Sequence, residues 1–82
     1  MKRVRWVKKR CIGYSSYATA KLGNLRFCVK RTKGTPVFRG EATSTESHIF
    51  LLLVYCPTAL AAKRAIVRDT REFLEEALET LR

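Results

Sequence analysis

The first forty residues of this 82-residue chain contain no aspartate and no glutamate, although they hold twelve of its seventeen lysines and arginines. The remaining residues hold five bases and seven acids, so the two halves carry +12 and −2 of the formal charge of +10. A stretch without local counter-charges either repels itself or meets anions from outside, and phosphate is the commonest of these.

Metal-binding and catalytic residue types are just as scarce. The three cysteines, Cys11, Cys28 and Cys56, are widely spaced with no CxxC pair, and His48 is the only histidine, which argues against a structural zinc site. Isolated cysteines of this kind behave as small buried hydrophobes in a reducing compartment. Residues 1–5 are basic but lead into no long apolar region, and the expected localisation is cytoplasmic. The longest apolar run, residues 49–56, is followed at once by Pro57 and falls far short of the roughly 20 residues that a membrane span needs.

No glycine-rich phosphate loop, no HExxH and no recognisable carboxylate pair occurs, and His48 has no Asp, Cys or Ser at a catalytic spacing. The acids are expected in a loop and on a helix. An enzyme is not expected, nor is a cofactor or a metal.

What is present reads as a fold. Residues 2–10 alternate, with Val4 and Trp6 on one face and Arg3, Arg5, Val7 and Lys9 on the other, the pattern of a half-buried strand. Gly23-Asn24 separates two more alternating runs, residues 14–22 and 25–31, and suits a two-residue hairpin turn. That turn sets a register: Leu22 opposite Leu25, Ala20 opposite Phe27 and Ala18 opposite Val29 on an apolar face. The other face then carries Lys21 with Arg26, Thr19 with Cys28 and Tyr17 with Lys30.

After the turn at residues 33–36, residues 37–43 read as a further strand, which Gly40 weakens or bulges. Residues 43–47 form a loop. Residues 49–55 read as a buried central strand, with a helix from Glu46 as the competitor, since Thr43 and Glu46 have capping-box spacing. Thr58 is the expected cap of a helix running to about Leu81, with Ala59, Ala62, Ile66, Phe73, Leu74, Ala77, Leu78 and Leu81 as its apolar stripe. Trp6, Tyr14 and Tyr55 are expected in the core.

The fold class is therefore α+β, a small antiparallel sheet of three to five strands packed against one long C-terminal helix. Residues 1–82 form a single domain, strand-rich and basic over 1–56 and helical over 57–82. This order, with Tyr55-Cys56-Pro57-Thr58 leading into an Ala-rich helix, is similar in layout to the arm-binding DNA modules of phage integrases, which lay a sheet in the major groove. It is an analogy of layout and assigns no family.

The expected function is a non-enzymatic nucleic-acid-binding module, with DNA ahead of RNA, of the compact basic kind common in phages and mobile elements. Its binding residues are expected to be Arg3, Arg5, Lys9, Tyr17, Lys21, Arg26, Lys30, Arg31 and Lys33, the cations on phosphates and Tyr17 against a base. The rival reading is a protein-binding or assembly module, a dimeric adaptor or small inhibitor facing an acidic surface, with residues 49–55 or the helix face as a homodimer seam. The acid-rich end of the helix would complement the basic sheet of a second copy or of the same chain.

Overall fold

The computed structural model describes residues 4–81. Five strands follow one another in chain order, β1 (Val7–Lys8), β2 (Tyr14–Leu22), β3 (Leu25–Thr32), β4 (Phe38–Ser44) and β5 (Phe50–Cys56), and helix α1 (Ala59–Thr80) closes the chain. All neighbours in the sheet pair antiparallel in the order β1-β2-β3-β4-β5, a meander. The fold is thus an α+β sheet with one long C-terminal helix.

The β2–β3 hairpin has the register that its turn dictates, with Leu22 opposite Leu25, Ala20 opposite Phe27 and Tyr17 opposite Lys30. Of the two turn residues only Gly23 takes a positive φ, 59°, as the first position of a type II′ turn requires. His48 (φ 57°) adopts the same left-handed backbone in the β4–β5 connection, where its N–H donates to the Ser44 carbonyl.

One face of the sheet carries the core. Ala20, Phe27, Val29 and Ala42 are buried there against Ala62 and Ile66 of α1, with Val4, Trp6, Leu52 and Val54 packed around them. Gly40 belongs to this face for a steric reason. A Cβ at that position would stand 2.7 Å from Val54 Cγ2 and 3.3 Å from both the Ala62 carbonyl oxygen and Ile66 Cβ. Gly40 does not mark a bulge, the second of the two roles expected for it; the register shift lies between Ala42 and Thr43.

The run expected as a strand over residues 49–55 is one, β5 at Phe50–Cys56, but it lies at the sheet's edge and not at its centre. Its continuous apolar run reflects two different surroundings: Leu52 and Val54 pack on the core, while Phe50, Leu53 and Tyr55 are exposed. Glu41 corrects a second expectation, since it sits within β4 and not in a loop.

Thr58 caps α1, its Oγ1 accepting from Ala61 N–H at 3.1 Å and satisfying one of the unpaired donors of the first turn. The core-facing stripe of the helix stays buried only as far as Thr70, and no residue of the helix beyond it is buried. At about 1.5 Å per residue the helix is roughly 33 Å long. Its last three turns project past the sheet, and the molecule measures 45 × 24 × 22 Å. No helix among the described residues is long and apolar enough to cross a membrane.

Two substitutions test the helix–sheet contact. Gly40→Ala should lower the unfolding free energy by roughly 1–3 kcal/mol through overpacking, read as a lower denaturant midpoint. Thr70→Val should raise stability by about 1 kcal/mol, because Thr70 Oγ1 is buried without a hydrogen-bond partner and the substitution removes an uncompensated hydroxyl.

Candidate nucleic-acid interface

The face of the sheet opposite α1 is uncovered. Strand alternation places three rows of side chains across it. The first runs Tyr17, Lys30, Arg39, Tyr55; the second Val7, Thr19, Cys28, Glu41, Leu53; the third Lys21, Arg26, Thr43, Phe50. Because α1 lies on the other face, its acids do not neutralise this one, which removes the same-chain version of the complementarity expected from sequence.

The middle row is the structural floor of the face. Cys28 and Glu41 are buried there, 6% exposed each, beneath longer neighbours. Glu41 Oε1 lies 3.2 Å from Lys30 Nζ and 2.8 Å from Arg39 Nε. Both contacts are ion pairs without an aligned hydrogen bond to Oε1. One buried carboxylate thus bridges two cations that the register sets directly opposite each other.

Burial works against the charge on Lys30, but the close contact and negative charge of Glu41 outweigh it and raise the Lys30 ammonium above its ordinary 10.5. A hydrogen bond to Cys28, with burial second, pushes the Tyr17 phenol from 10.0 up to about 12. Burial pushes the Cys28 thiol up as well, against the pull of Tyr17 and Lys30. Tyr17 and Cys28 are therefore neutral at physiological pH, and this part of the face presents an uncharged aromatic ring beside a cation.

The outer row differs. Lys21 and Arg26 stand directly opposite one another, a like-charge cross-strand pair that is destabilising on its own. Among the described residues no ion pair is made by Lys21, Arg26, Arg5 or Lys9. These four line a hollow of about 680 Å³ with Tyr17 and Val7. A second hollow, about 490 Å³, continues it to the end of the sheet, where Lys9, Arg10, Tyr14, Tyr17 and Lys33 come together.

Of the residues expected from sequence, Arg5, Lys9, Tyr17, Lys21, Arg26 and Lys30 share the open face, and Lys33 stands at its rim. Arg31 does not belong to this group. Its side chain is on the helix side of β3, stacked 5.3 Å over the Phe38 ring and donating to Ser15 Oγ at 2.8 Å. Arg3 lies outside the described residues.

Sequence reasoning missed four contributors. Arg39, Phe50 and Tyr55 lie on the open face, the two aromatics about 60% exposed, so Tyr55 is not the core residue expected. Tyr14 departs from its expected core place too. A bulge between Tyr14 and Ser16 shifts the alternation and brings the Tyr14 ring 5.5 Å from Tyr17, with Lys30 Nζ 5.2 Å above it. Trp6, by contrast, packs against Phe27 on the core side. The placement of β5 at an edge, from which the exposure of Phe50 and Tyr55 follows, has no local signal in the sequence. Comparison with protein-family models, curated proteins and solved structures finds no match to the chain.

The raised Tyr17 phenol has a pH signature. Between pH 10 and about 12 the folded chain retains a proton that the unfolded chain releases, so folding stability falls as pH rises through this window. Lys30 acts in the same direction, since the stability from its Glu41 pairing is fully present below 10.5 and is lost above. Tyr17→Phe should abolish the tyrosine absorbance step near pH 12 and reduce the alkaline loss of stability. An unchanged step would contradict the assignment of the raised phenol to Tyr17.

Proposed function

We propose that the chain is a non-enzymatic nucleic-acid-binding module that lays a single-stranded stretch, DNA before RNA, across the open sheet face. The observation that carries this reading is the Lys21–Arg26 pair, two cations held opposite each other with no acid beside them. Phosphate relieves that repulsion, and the adjoining hollow with Arg5 and Lys9 extends the track along which a backbone can run.

Width and aromatic placement favour an unpaired strand. Five strands at about 4.8 Å spacing make a face roughly 19 Å across, wider than the roughly 12 Å major groove of B-DNA. The whole face cannot enter a duplex flat. Exposed Tyr55 and Phe50 and the half-buried Tyr14–Tyr17 pair offer surfaces on which splayed bases stack. Binding, not bond-making, is what such a surface provides: cations set the path, and rings accept bases of any sequence.

Fluorescence anisotropy against single-stranded DNA, duplex DNA and RNA, each across a range of salt, tests the proposal. Binding to single-stranded DNA should exceed binding to duplex and persist near physiological salt. Lys21→Ala with Arg26→Ala should make the log–log salt slope shallower by about 1.4, while Tyr55→Ala should weaken binding by about 1–3 kcal/mol with little change in slope. Tighter binding to duplex would overturn the unpaired-strand reading. Weak binding that is alike for all three ligands and vanishes with salt would sink the nucleic-acid reading and return the face to an acidic protein partner.

A further inference from the structure

The end of the sheet where β2 begins gathers cations that no acid balances. Lys9, Arg10 and Lys33 surround the hollow of about 490 Å³ there, together with the rings of Tyr14 and Tyr17. No acid lines it, and among the described residues none of the three cations makes an ion pair. All three are exposed. The backbone brings them together from both sides of β2. Lys9 N–H donates to the Tyr17 carbonyl at 2.9 Å, and Lys33 N–H donates to the Gly13 carbonyl at 3.0 Å.

The register shift between Tyr14 and Ser16 gives the hollow a second property. In a regular strand Tyr14 and Tyr17 would fall on opposite faces. The shift turns Tyr14 onto the open face, where the two rings meet edge to face at 5.5 Å and 63°. Lys30 Nζ stands 5.2 Å from the centre of one ring and 6.0 Å from the other. Bulges re-aim side chains in this way beside binding and active sites. The core does not require it, since Tyr14 is not among the residues packed there. The hollow thus sets a flat ring beside three unbalanced cations, which is the complement of a base joined to a phosphate bearing more than one charge.

A phosphodiester inside a strand carries a single negative charge, whereas a phosphate monoester at its end carries about 1.5–2 at neutral pH. The Lys21–Arg26 pair suits the first, and the three cations of the hollow suit the second. The hollow also adjoins the basic track, sharing Lys9 and Tyr17 with it. We propose that this hollow is a terminal site, holding the phosphate monoester end of a single strand that lies along the open face. The phosphate sits among Lys9, Arg10 and Lys33, and the last base lies against Tyr14. The inference rests on the single-strand reading of the face and adds to it a preference for phosphorylated ends. A free nucleoside monophosphate shares the chemistry of the end but lacks the diester backbone that Arg5, Lys21 and Arg26 engage, so the strand is the tighter ligand.

Single-stranded oligonucleotides of one sequence and length, with a phosphate at one end, at the other end or at neither, provide the test by fluorescence anisotropy. One phosphorylated form should bind roughly tenfold tighter than the form with hydroxyls at both ends. Arg10→Ala with Lys33→Ala changes exposed positions outside the strands and should keep wild-type circular dichroism, while the ratio of the two affinities falls to about one. Lys21→Ala with Arg26→Ala should weaken both forms and keep the ratio. A nucleoside monophosphate should displace the phosphorylated strand only at about a hundredfold higher concentration, because the strand links two sets of contacts. Equal affinity for all three oligonucleotides, or a preference that survives the loss of Arg10 and Lys33, would overturn the terminal site and leave the single-strand reading standing. Displacement by the mononucleotide at the strand's own concentration would overturn the assignment to a strand end. Failure of every oligonucleotide to bind would overturn both readings together.

Discussion

The approach of α1 to the sheet over Gly40 is the constraint on which everything else in the molecule rests, because it decides how close two layers can come in a chain with few large core residues. Among the described residues only Phe27, Val29 and Ile66 are large, apolar and fully buried. Small residues make up the rest: Ala18, Ala20, Ala42 and Ala62. A thin layer of this kind excludes water only if the backbones lie close together, and the contact of Gly40 with the Ala62 carbonyl region permits it. Dispersion contacts fall away quickly with separation, so a gap of even an ångström would leave alanines facing empty space.

Having committed its apolar surface to one thin interface, the chain leaves the other sheet face bare and half the helix unsupported. Among the described residues no second layer covers the open face and no sixth strand lies under the overhang. On the open face the cost of exposure is offset by polarity, with Cys28 and Glu41 screened beneath Tyr17, Lys30 and Arg39. Removing Glu41 would leave two cations adjacent in the middle of the sheet, so the carboxylate serves the fold while the outer cations remain uncompensated.

Much of this was legible in the sequence, and the boundary between what was and what was not has a physical cause. The β2–β3 hairpin could be read to the residue because a two-residue turn fixes every pairing that follows it. Thr58 and Pro57 likewise announced the helix locally. The place of β5 could not be read this way, since strand order is decided by packing between segments distant in sequence, and an apolar run looks the same at the centre of a sheet as at an edge covered on one side. Tyr14 was misplaced because a single-residue bulge reverses alternation. The exposed half of the helix stripe was indistinguishable from the buried half, as periodicity reports which residues share a side but not where the sheet beneath them stops.

The edge position of β5 carries one more consequence. Its seven residues contain no charge and no proline, whereas natural sheets usually protect an edge with one or the other. On the opposite border, β1 pairs over only two residues, Val7 and Lys8, and the neighbouring Lys9 and Arg10 discourage further growth. The sheet is therefore polar in its capacity to extend. Any extended peptide seeking main-chain partners would add beside Phe50–Cys56, lengthening the sheet in one direction only.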